Sequence, residues 1–517
     1  MARRVYLVTL GGILVLWTLF IFAGVLSINE LRFDDVIHLQ ANARLALPWQ
    51  AALTKIWTES QHNAYTPVTS SLWFGLRKLS VQVNSFLPLY AANVIFHCLA
   101  SLAVFLFLFE LFASPAAAFW GAMMFSLHPM HVEPVAWLTG MRDVLSGLNI
   151  AISLLLYIQW AKTHRKMKWA LSVLFFLLAV LSKPNVAFVW LAFPLLVKPW
   201  RKIAEQKASF LAWALCLPIL YVQSMANQSS TVWLVQKIPW ASRILVAMDA
   251  LTFYCAKILF PIQVAFDYGR TPARILARPE IFATIFLPVI GYFLFKKAGK
   301  KAIGWIFFAS LFPALGLIPF MYQHISTVAD RFAYVAILAL SLVWTGWLTV
   351  DRKTWKYGAA AIVAVLFSFK TLSQVYLWGE SDTLFRQIVF VNPKSWIAHD
   401  SLANLYARQK KVDEATKEFR LGIQGQDEMK KKPEMINLLG VYLINHGRYL
   451  EAVRTLEEAI QLRPAFARAH HNLGVAWLRL GAAERAQECF WEALTWNPRL
   501  SESREGLKEI TRLSKDP

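Results

Sequence analysis

Residues 439–464 read LGVYLINHGRYLEAVRTLEEAIQLRP, and residues 473–498 read LGVAWLRLGAAERAQECFWEALTWNP. Leu439-Gly440, Leu443, Ala452, Leu456, Ala459 and Pro464 return as Leu473-Gly474, Trp477, Ala486, Phe490, Ala493 and Pro498, each 34 positions later. Small residues at these places let two helices approach closely, and the proline ends the second helix of each pair. A looser copy precedes them in Leu402-Ala403, Tyr406, Ala415 and Phe419, separated by a basic insertion, Lys430 to Lys432.

A period of 34 is that of the tetratricopeptide (TPR) repeat, a helix–turn–helix unit that stacks into a solenoid. The pattern predicts a TPR α-solenoid over 379–517, with about three repeats and a capping helix. Such arrays bind peptides or proteins, or serve as a structural cap.

Upstream the solvent changes. The chain has 517 residues, 57% hydrophobic and 16% charged, against roughly 25% charged in soluble domains. From Gly379 onward there are 21 Lys/Arg against 19 Asp/Glu, leaving 32 basic and 13 acidic residues before it. The excess apolar content before Trp378 therefore belongs in a bilayer. The basic residues sit in short clusters between apolar runs, as cytoplasmic loops do, which argues against nucleic-acid binding as the meaning of the +21 net charge. Cys98, Cys216, Cys255 and Cys489 have no metal-like or disulfide-like spacing.

Met-Ala-Arg-Arg opens the chain, and the apolar run 5–28 is longer than a signal-peptide core, so it reads as an uncleaved first span. Further candidate spans lie near 88–113, 115–128, 143–161, 169–182, 185–198, 209–226, 280–295, 303–320, 332–350 and 357–378. With the N-terminus inside, the inside loops collect Lys162/Arg165/Lys166/Lys168, Lys198/Arg201/Lys202/Lys207, Lys296/Lys297/Lys300/Lys301 and Arg352/Lys353/Lys356. A span at 243–262 would turn the last two clusters outward, so that stretch is expected to be re-entrant or interfacial. The expected fold is all-α: a polytopic transmembrane domain of about eleven spans over 1–378, then an extracytoplasmic repeat domain.

This topology gathers acids on the outer face, among them Glu30, Asp34, Asp35, Glu59, Glu133, Asp143, Asp249, Asp267, Glu280 and Asp330; the inner side has Glu110, Glu205 and Asp351. Adjacent carboxylates at a membrane edge are costly to desolvate and mark function or metal binding. The outer segments also carry His128, His131, Tyr268, Tyr334 and the cations Arg142, Lys183, Arg270 and Arg331. Cations at that level suit an anionic head group, with arginine able to grip phosphate bidentately. A carboxylate pair suits deprotonation of a hydroxyl. A polyprenyl-phosphate sugar is the simplest substrate with both a phosphate at the interface and an apolar tail. A transporter fits less well, since its site would lie at the membrane midplane.

Asp34-Asp35 just after the first span resembles the signature of the GT-C superfamily of membrane glycosyltransferases. His128-Pro129-Met130-His131-Val132-Glu133-Pro134-Val135-Ala136-Trp137 with Gly140-Met141-Arg142-Asp143 is similar to the transmembrane-and-TPR O-mannosyltransferase family, in a bacterial-type form. So are Tyr65-Thr66-Pro67-Val68-Thr69, Leu181-Ser182-Lys183, Asp267-Tyr268-Gly269 and Ala329-Asp330-Arg331-Phe332-Ala333-Tyr334. The chain departs from the family at Thr66, where an arginine is expected, and at Pro184, where a glutamate is expected.

The resemblance implies transfer of a sugar such as mannose from a polyprenyl-phosphate donor to a protein Ser/Thr hydroxyl on the extracytoplasmic side. It implies Asp34 and Asp35 as catalytic residues and Arg142, Arg331 and Lys183 as ligands of the donor phosphate. His128, His131, Glu133, Asp143, Tyr65, Asp267, Tyr268, Asp330 and Tyr334 would line the donor and acceptor pocket. No metal or other cofactor is expected to be required, although His128, His131 and Glu133 have metal-ligand chemistry. The expected location is a bacterial inner membrane, with the site and repeats facing the periplasm and the repeats holding the acceptor protein. Transfer to a lipid or glycan, and a non-catalytic membrane scaffold, are the alternatives.

Overall fold

The computed structural model describes residues 2–61, 64–196, 211, 214–228, 238–285, 301–351, 353–427 and 431–513. The expected spans 185–198, 209–226 and 280–295 lie partly outside these residues, as do Lys198, Arg201, Lys202, Glu205, Lys207, Lys296, Lys297, Lys300, Arg352 and Lys430. Every extended element among the described residues is helical, and the sole β pairing there is an isolated bridge between Gln61 and Ala64. The chain divides into two compact units, Met1–Leu384 and Phe385–Pro517.

In the first unit the helices run α1 (Ala2–Phe22), α2 (Trp49–Thr58), α3 (Pro67–Gln82), α4 (Leu87–Phe112), α5 (Pro115–Ser126), α6 (Val132–Ala136), α7 (Met141–Thr163) and α8 (Lys166–Ser182). They continue as α9 (Leu217–Gln228), α10 (Trp240–Leu259), α11 (Pro272–Leu276), α12 (Lys301–Leu311), α13 (Ile337–Thr349) and α14 (Thr354–Gly379). Among the described residues four stretches are long and apolar enough to cross a membrane: Arg4–Ser27, Leu87–Phe112, Leu138–Thr163 and Thr354–Gly379. Other apolar runs fold as shorter helices, because Pro115, Pro184 and Pro313 each fall at the first or second position of a new helical segment. A 12-residue helix such as α5 covers only about 18 Å of a roughly 30 Å hydrocarbon layer.

The long helices present unpaired apolar faces. Val8, Leu16 and Phe20 on α1, and Ile362, Leu366, Phe369 and Tyr376 on α14, are all exposed, as helices that meet lipid require. Between helices the contacts are small and polar. Ser153 and Ser172 exchange hydrogen bonds between α7 and α8, each hydroxyl meeting the other's carbonyl at 2.7 and 2.8 Å. α5 lies so close to α13 that a Cβ on Gly121 would stand 1.9 Å from Thr345 Oγ1.

The second unit stacks three antiparallel pairs, α15 (Trp396–Arg408) with α16 (Val412–Gly425), α17 (Lys432–Asn445) with α18 (Tyr449–Leu462), and α19 (Ala467–Arg479) with α20 (Ala483–Trp496). Helix α21 (Ser501–Leu513) follows them. Gly440 and Gly474 are needed for close packing: an added Cβ would meet Leu456 at 2.6 Å and Phe490 at 2.7 Å. Gly447 and Gly481 turn the chain within their pairs at φ 75° and 80°, whereas the first pair uses Lys410 at φ 59°. That residue explains part of the loose fit of the first repeat, since a lysine there holds a conformation that favours glycine.

Candidate active site

The acidic pair is set by a turn between α1 and the following helical segment. Phe33 has φ 52°, a left-handed conformation costly for a bulky side chain, and its ring stacks on Phe266 with centroids 3.8 Å apart. Arg32, buried, anchors the turn to the C-terminal end of α14 by donating to the carbonyls of Trp378 and Gly379, where a cation meets the helix's unsatisfied acceptors. The two carboxylates then part. Asp35 is fully buried; its Oδ2 accepts from the Arg32 N–H at 3.1 Å and its Oδ1 from the Thr139 N–H at 3.0 Å. Asp34 is partly exposed, accepts from the Thr139 hydroxyl at 2.8 Å, and has Oδ2 3.5 Å from His38 Nε2.

Those neighbours separate the ionisations of the pair. Burial pushes Asp34 up, but the hydrogen bond and charge of His38, the charge of Arg142 and the Thr139 hydroxyl together hold it below its ordinary value. Burial, with the charge of Asp34 added, pushes Asp35 up to about 7.

The opposite wall is the His-Pro segment. Asn93 on α4 donates to the carbonyls of Val135 and Trp137 at 3.2 and 3.0 Å. Gly140 lets the start of α7 lie against α6, because a Cβ there would stand 2.4 Å from the Pro134 carbonyl oxygen. This fold-back delivers Arg142, whose guanidinium lies over Trp73 with 4.8 Å to the ring centroid. Among the described residues no carboxylate lies within ion-pair distance of Arg142, the nearby Asp34, Asp143 and Glu133 having other partners, and its Nε is buried without a hydrogen-bond partner. The charges of Asp34, Asp143 and Asp35 nonetheless reach it.

The other two cations are already paired. Lys183 donates to Asp143, and Thr69 on α3 steadies the end of α8 by donating to the Ser182 carbonyl at 3.2 Å. Arg331 donates to Glu133 and lies 4.0 Å from the Tyr322 ring centroid. Asp143, Ser146, Lys183, Asn185, Arg331 and Tyr334 are among the residues lining a narrow crevice.

The remaining expected site residues are mostly interior. His128 Nδ1 accepts from the Met130 N–H, so Nε2 carries the proton donated to the Ile258 carbonyl at 3.0 Å. His131 Nε2 bonds to the Tyr334 carbonyl at 3.2 Å, and the Tyr334 hydroxyl pairs with His97 Nδ1 at 2.8 Å. All three side chains are essentially unexposed, so they pack the wall that carries the site. Tyr268 donates to the buried Asp330 carboxyl at 2.7 Å, and Asp267 accepts from the Gly269 N–H at 2.7 Å. The Tyr65 hydroxyl donates to the Trp57 carbonyl at 2.9 Å, and its N–H to Gln223, so neither bond reaches the charge cluster. Among the described residues no group of three His, Cys, Asp or Glu is arranged to hold a metal ion.

Thr139, His38 and Arg32 carry the acidic pair without having been singled out in the sequence. His38 stands four residues after Asp34, a helical spacing that could have marked it. Thr139 acts across the fold and leaves no local pattern, and Arg32 meets Asp35 through a backbone N–H, which any residue but proline supplies.

The fold and the site define a class: an all-helical chain with helices long enough to cross a membrane, a carboxylate–guanidinium cluster where α1 and α14 end and α7 begins, and TPR repeats. Proteins similar to it in sequence include protein O-mannosyl-transferases. The chain is 23% identical to human protein O-mannosyl-transferase TMTC1 over 474 residues, covering 77% of this chain and 53% of that protein. It is also 23% identical to human TMTC3 over 567 residues, covering 89% of this chain and 61% of that protein. The mouse TMTC1 enzyme reaches 31% identity over 145 residues, 25% of this chain and 14% of the mouse protein. The TPR repeat family matches residues 443–481. Among solved structures, Pseudomonas aeruginosa pilF aligns with 28% of this chain and 62% of its own at 23% identity and a TM-score of 0.23. The sequence similarity to these protein O-mannosyl-transferases extends over most of the chain. The chain itself spans between half and two thirds of the length of those human relatives.

Proposed function

We propose that the protein is a membrane glycosyltransferase that moves mannose from a polyprenyl-phosphate donor to a Ser/Thr hydroxyl of a protein on the extracytoplasmic side. The observation that carries this reading is a partly exposed Asp34, held below its ordinary pKa, within electrostatic reach of an Arg142 guanidinium that has no carboxylate at ion-pair distance among the described residues. Asp34 takes the proton of the acceptor hydroxyl as its oxygen bonds to the anomeric carbon. The bond from that carbon to the phosphate oxygen breaks, and its electron pair leaves on the phosphate. Arg142 stabilises the charge that develops there. Lys183 and Arg331 stand within electrostatic reach of Arg142, each paired with a carboxylate, Asp143 and Glu133. A phosphate leaving group needs charge stabilisation rather than a strong acid, so the scheme calls for no cofactor beyond the donor.

We also propose eleven spans, in a bacterial inner membrane with the N-terminus inside. Helix α10, with 20 residues, supports the odd count because both of its ends meet segments assigned to the outer face. Its first half lines a crevice with Pro272, Gly316, Pro319 and Gln323, and Asp249 is held by Arg270. Further along, Tyr254 bonds to Ala329 and the Ile258 carbonyl accepts from His128. Parity then places the repeats on the side of Asp34, where they would hold the acceptor protein.

The test is reconstitution of the full chain in nanodiscs with polyprenyl-phosphate mannose and a Ser/Thr-containing peptide. Mannosylated peptide is expected, with Asp34→Asn slowed about 10²-fold or more. Near-normal turnover by a well-folded Asp34→Asn protein would remove Asp34 as the base. Mannose appearing on lipid alone would replace the protein acceptor.

A further inference from the structure

Thr139 takes no part in the transfer scheme above, yet it touches both members of the acidic pair. It lies in the short helical turn Leu138–Gly140 and is 3% exposed. Its backbone N–H is given to Asp35 Oδ1 at 3.0 Å and its hydroxyl proton to Asp34 Oδ1 at 2.8 Å. With the Arg32 N–H on Asp35 Oδ2 at 3.1 Å, each oxygen of Asp35 has a backbone donor. The oxygen of Asp34 that Thr139 leaves is Oδ2, 3.5 Å from His38 Nε2.

We propose that Thr139 is the positioning residue of the transfer reaction, pinning both carboxylates to the start of α7 and turning Asp34 so that Oδ2 receives the acceptor's proton. This rests on Asp34 acting as the base. A hydroxyl has one proton to donate, and giving it to Oδ1 fixes the turn of the carboxylate, with Oδ2 toward His38. The last torsion of an aspartate is broad, so without this bond the carboxylate swings and the attack geometry is held for less of the time. His38, Asp35 and Arg142 are the charged or titratable groups acting on Asp34, and a change at Thr139 removes none of them.

Thr139→Ser keeps both donors, whereas Thr139→Val keeps the shape and the backbone N–H but loses the hydroxyl. In the full-length protein in nanodiscs, Thr139→Val is expected to lower kcat about ten- to a hundredfold with the donor KM unchanged. Its acid limb should move up by about one pH unit, because the lost bond favoured ionised Asp34. Thr139→Ser should behave as the parent. A parental pH profile in Thr139→Val, or equal damage in the two variants, would overturn the assignment. A second measurement does not depend on turnover: the infrared carboxyl band that disappears in Asp34→Asn should titrate at higher pH in Thr139→Val, and an unmoved midpoint also overturns it. If Asp34→Asn retains turnover, the base reading fails, while the infrared titration still decides whether Thr139 governs the ionisation of Asp34.

Discussion

At the residue scale, burial bears on both Asp34 and Asp35, and the difference lies in what each carboxylate is given in return. Asp34 has His38, Arg142 and the Thr139 hydroxyl; Asp35 has two backbone N–H donors and the repulsion of Asp34. In the unfolded chain Asp35 ionises at about 4, as free aspartates do. Between about pH 4 and 7 the native state therefore holds a proton that the unfolded state has lost. The associated stabilisation is complete below about pH 4 and drains away as the pH rises to about 7. Thermal unfolding followed from about pH 5 to 7 should show this decline, and Asp34→Asn should make it shallower by removing one of its two causes; an unchanged slope would refute the coupling. The cations divide similarly. Arg142→Ala should reduce kcat/KM about 10²-fold with little change in melting temperature, with Arg142→Lys recovering part of the loss. Arg331→Met should instead cost about 3–5 kcal/mol of stability by stranding Glu133, read as a fall in melting temperature that a paired Glu133→Gln change reduces.

At the element scale, helix ends and turns position the chemistry. The α6–α7 fold-back depends on Gly140, so Gly140→Ala should cost about 1–3 kcal/mol through overpacking against Pro134. Activity should fall with it, since Thr139 and Arg142 flank the displaced residue; a fully active, equally stable Gly140→Ala protein would contradict the packing argument. In the repeats, Lys410 holds at φ 59° a position that the next two pairs give to glycine. Lys410→Gly should therefore stabilise the second unit by up to about 1 kcal/mol, measured by denaturant unfolding of the full chain. The same elements show what the sequence makes legible. The Leu439/Leu473 register gives the repeat pairs directly, because each helix faces only its neighbours. The charged residues that cluster in the candidate site could also be picked out, since charge beside a membrane needs a reason. What could not be read was the pairing: which cation was already neutralised by Glu133 or Asp143, and that His128, Nε2 of His131 and the Tyr334 hydroxyl bond inside the wall. Those partners come from distant segments, and composition and spacing contain no distance across the fold.

At the scale of the whole molecule, hydropathy marks apolar stretches but does not say which of them cross. Among the described residues four helical stretches are long enough to do so alone, and the shorter ones require company in the bilayer. The positive clusters supply the rule that a length criterion lacks: segments rich in lysine and arginine stay inside. Helix α10 tests that rule, because counting it as a span reverses the side of everything after it. Arg243, Asp249 and Lys257 lie along it, and a charge at the bilayer centre is costly, whereas an interfacial helix can keep its charged ends wet. Reporter fusions therefore discriminate sharply. Alkaline phosphatase, active only outside, should be active when joined after Asp267 and again after Leu513, and inactive after Lys301. An inactive fusion after Leu513 beside an active one after Lys301 would make α10 a span, move the repeats to the cytoplasm and separate them from the face that carries Asp34.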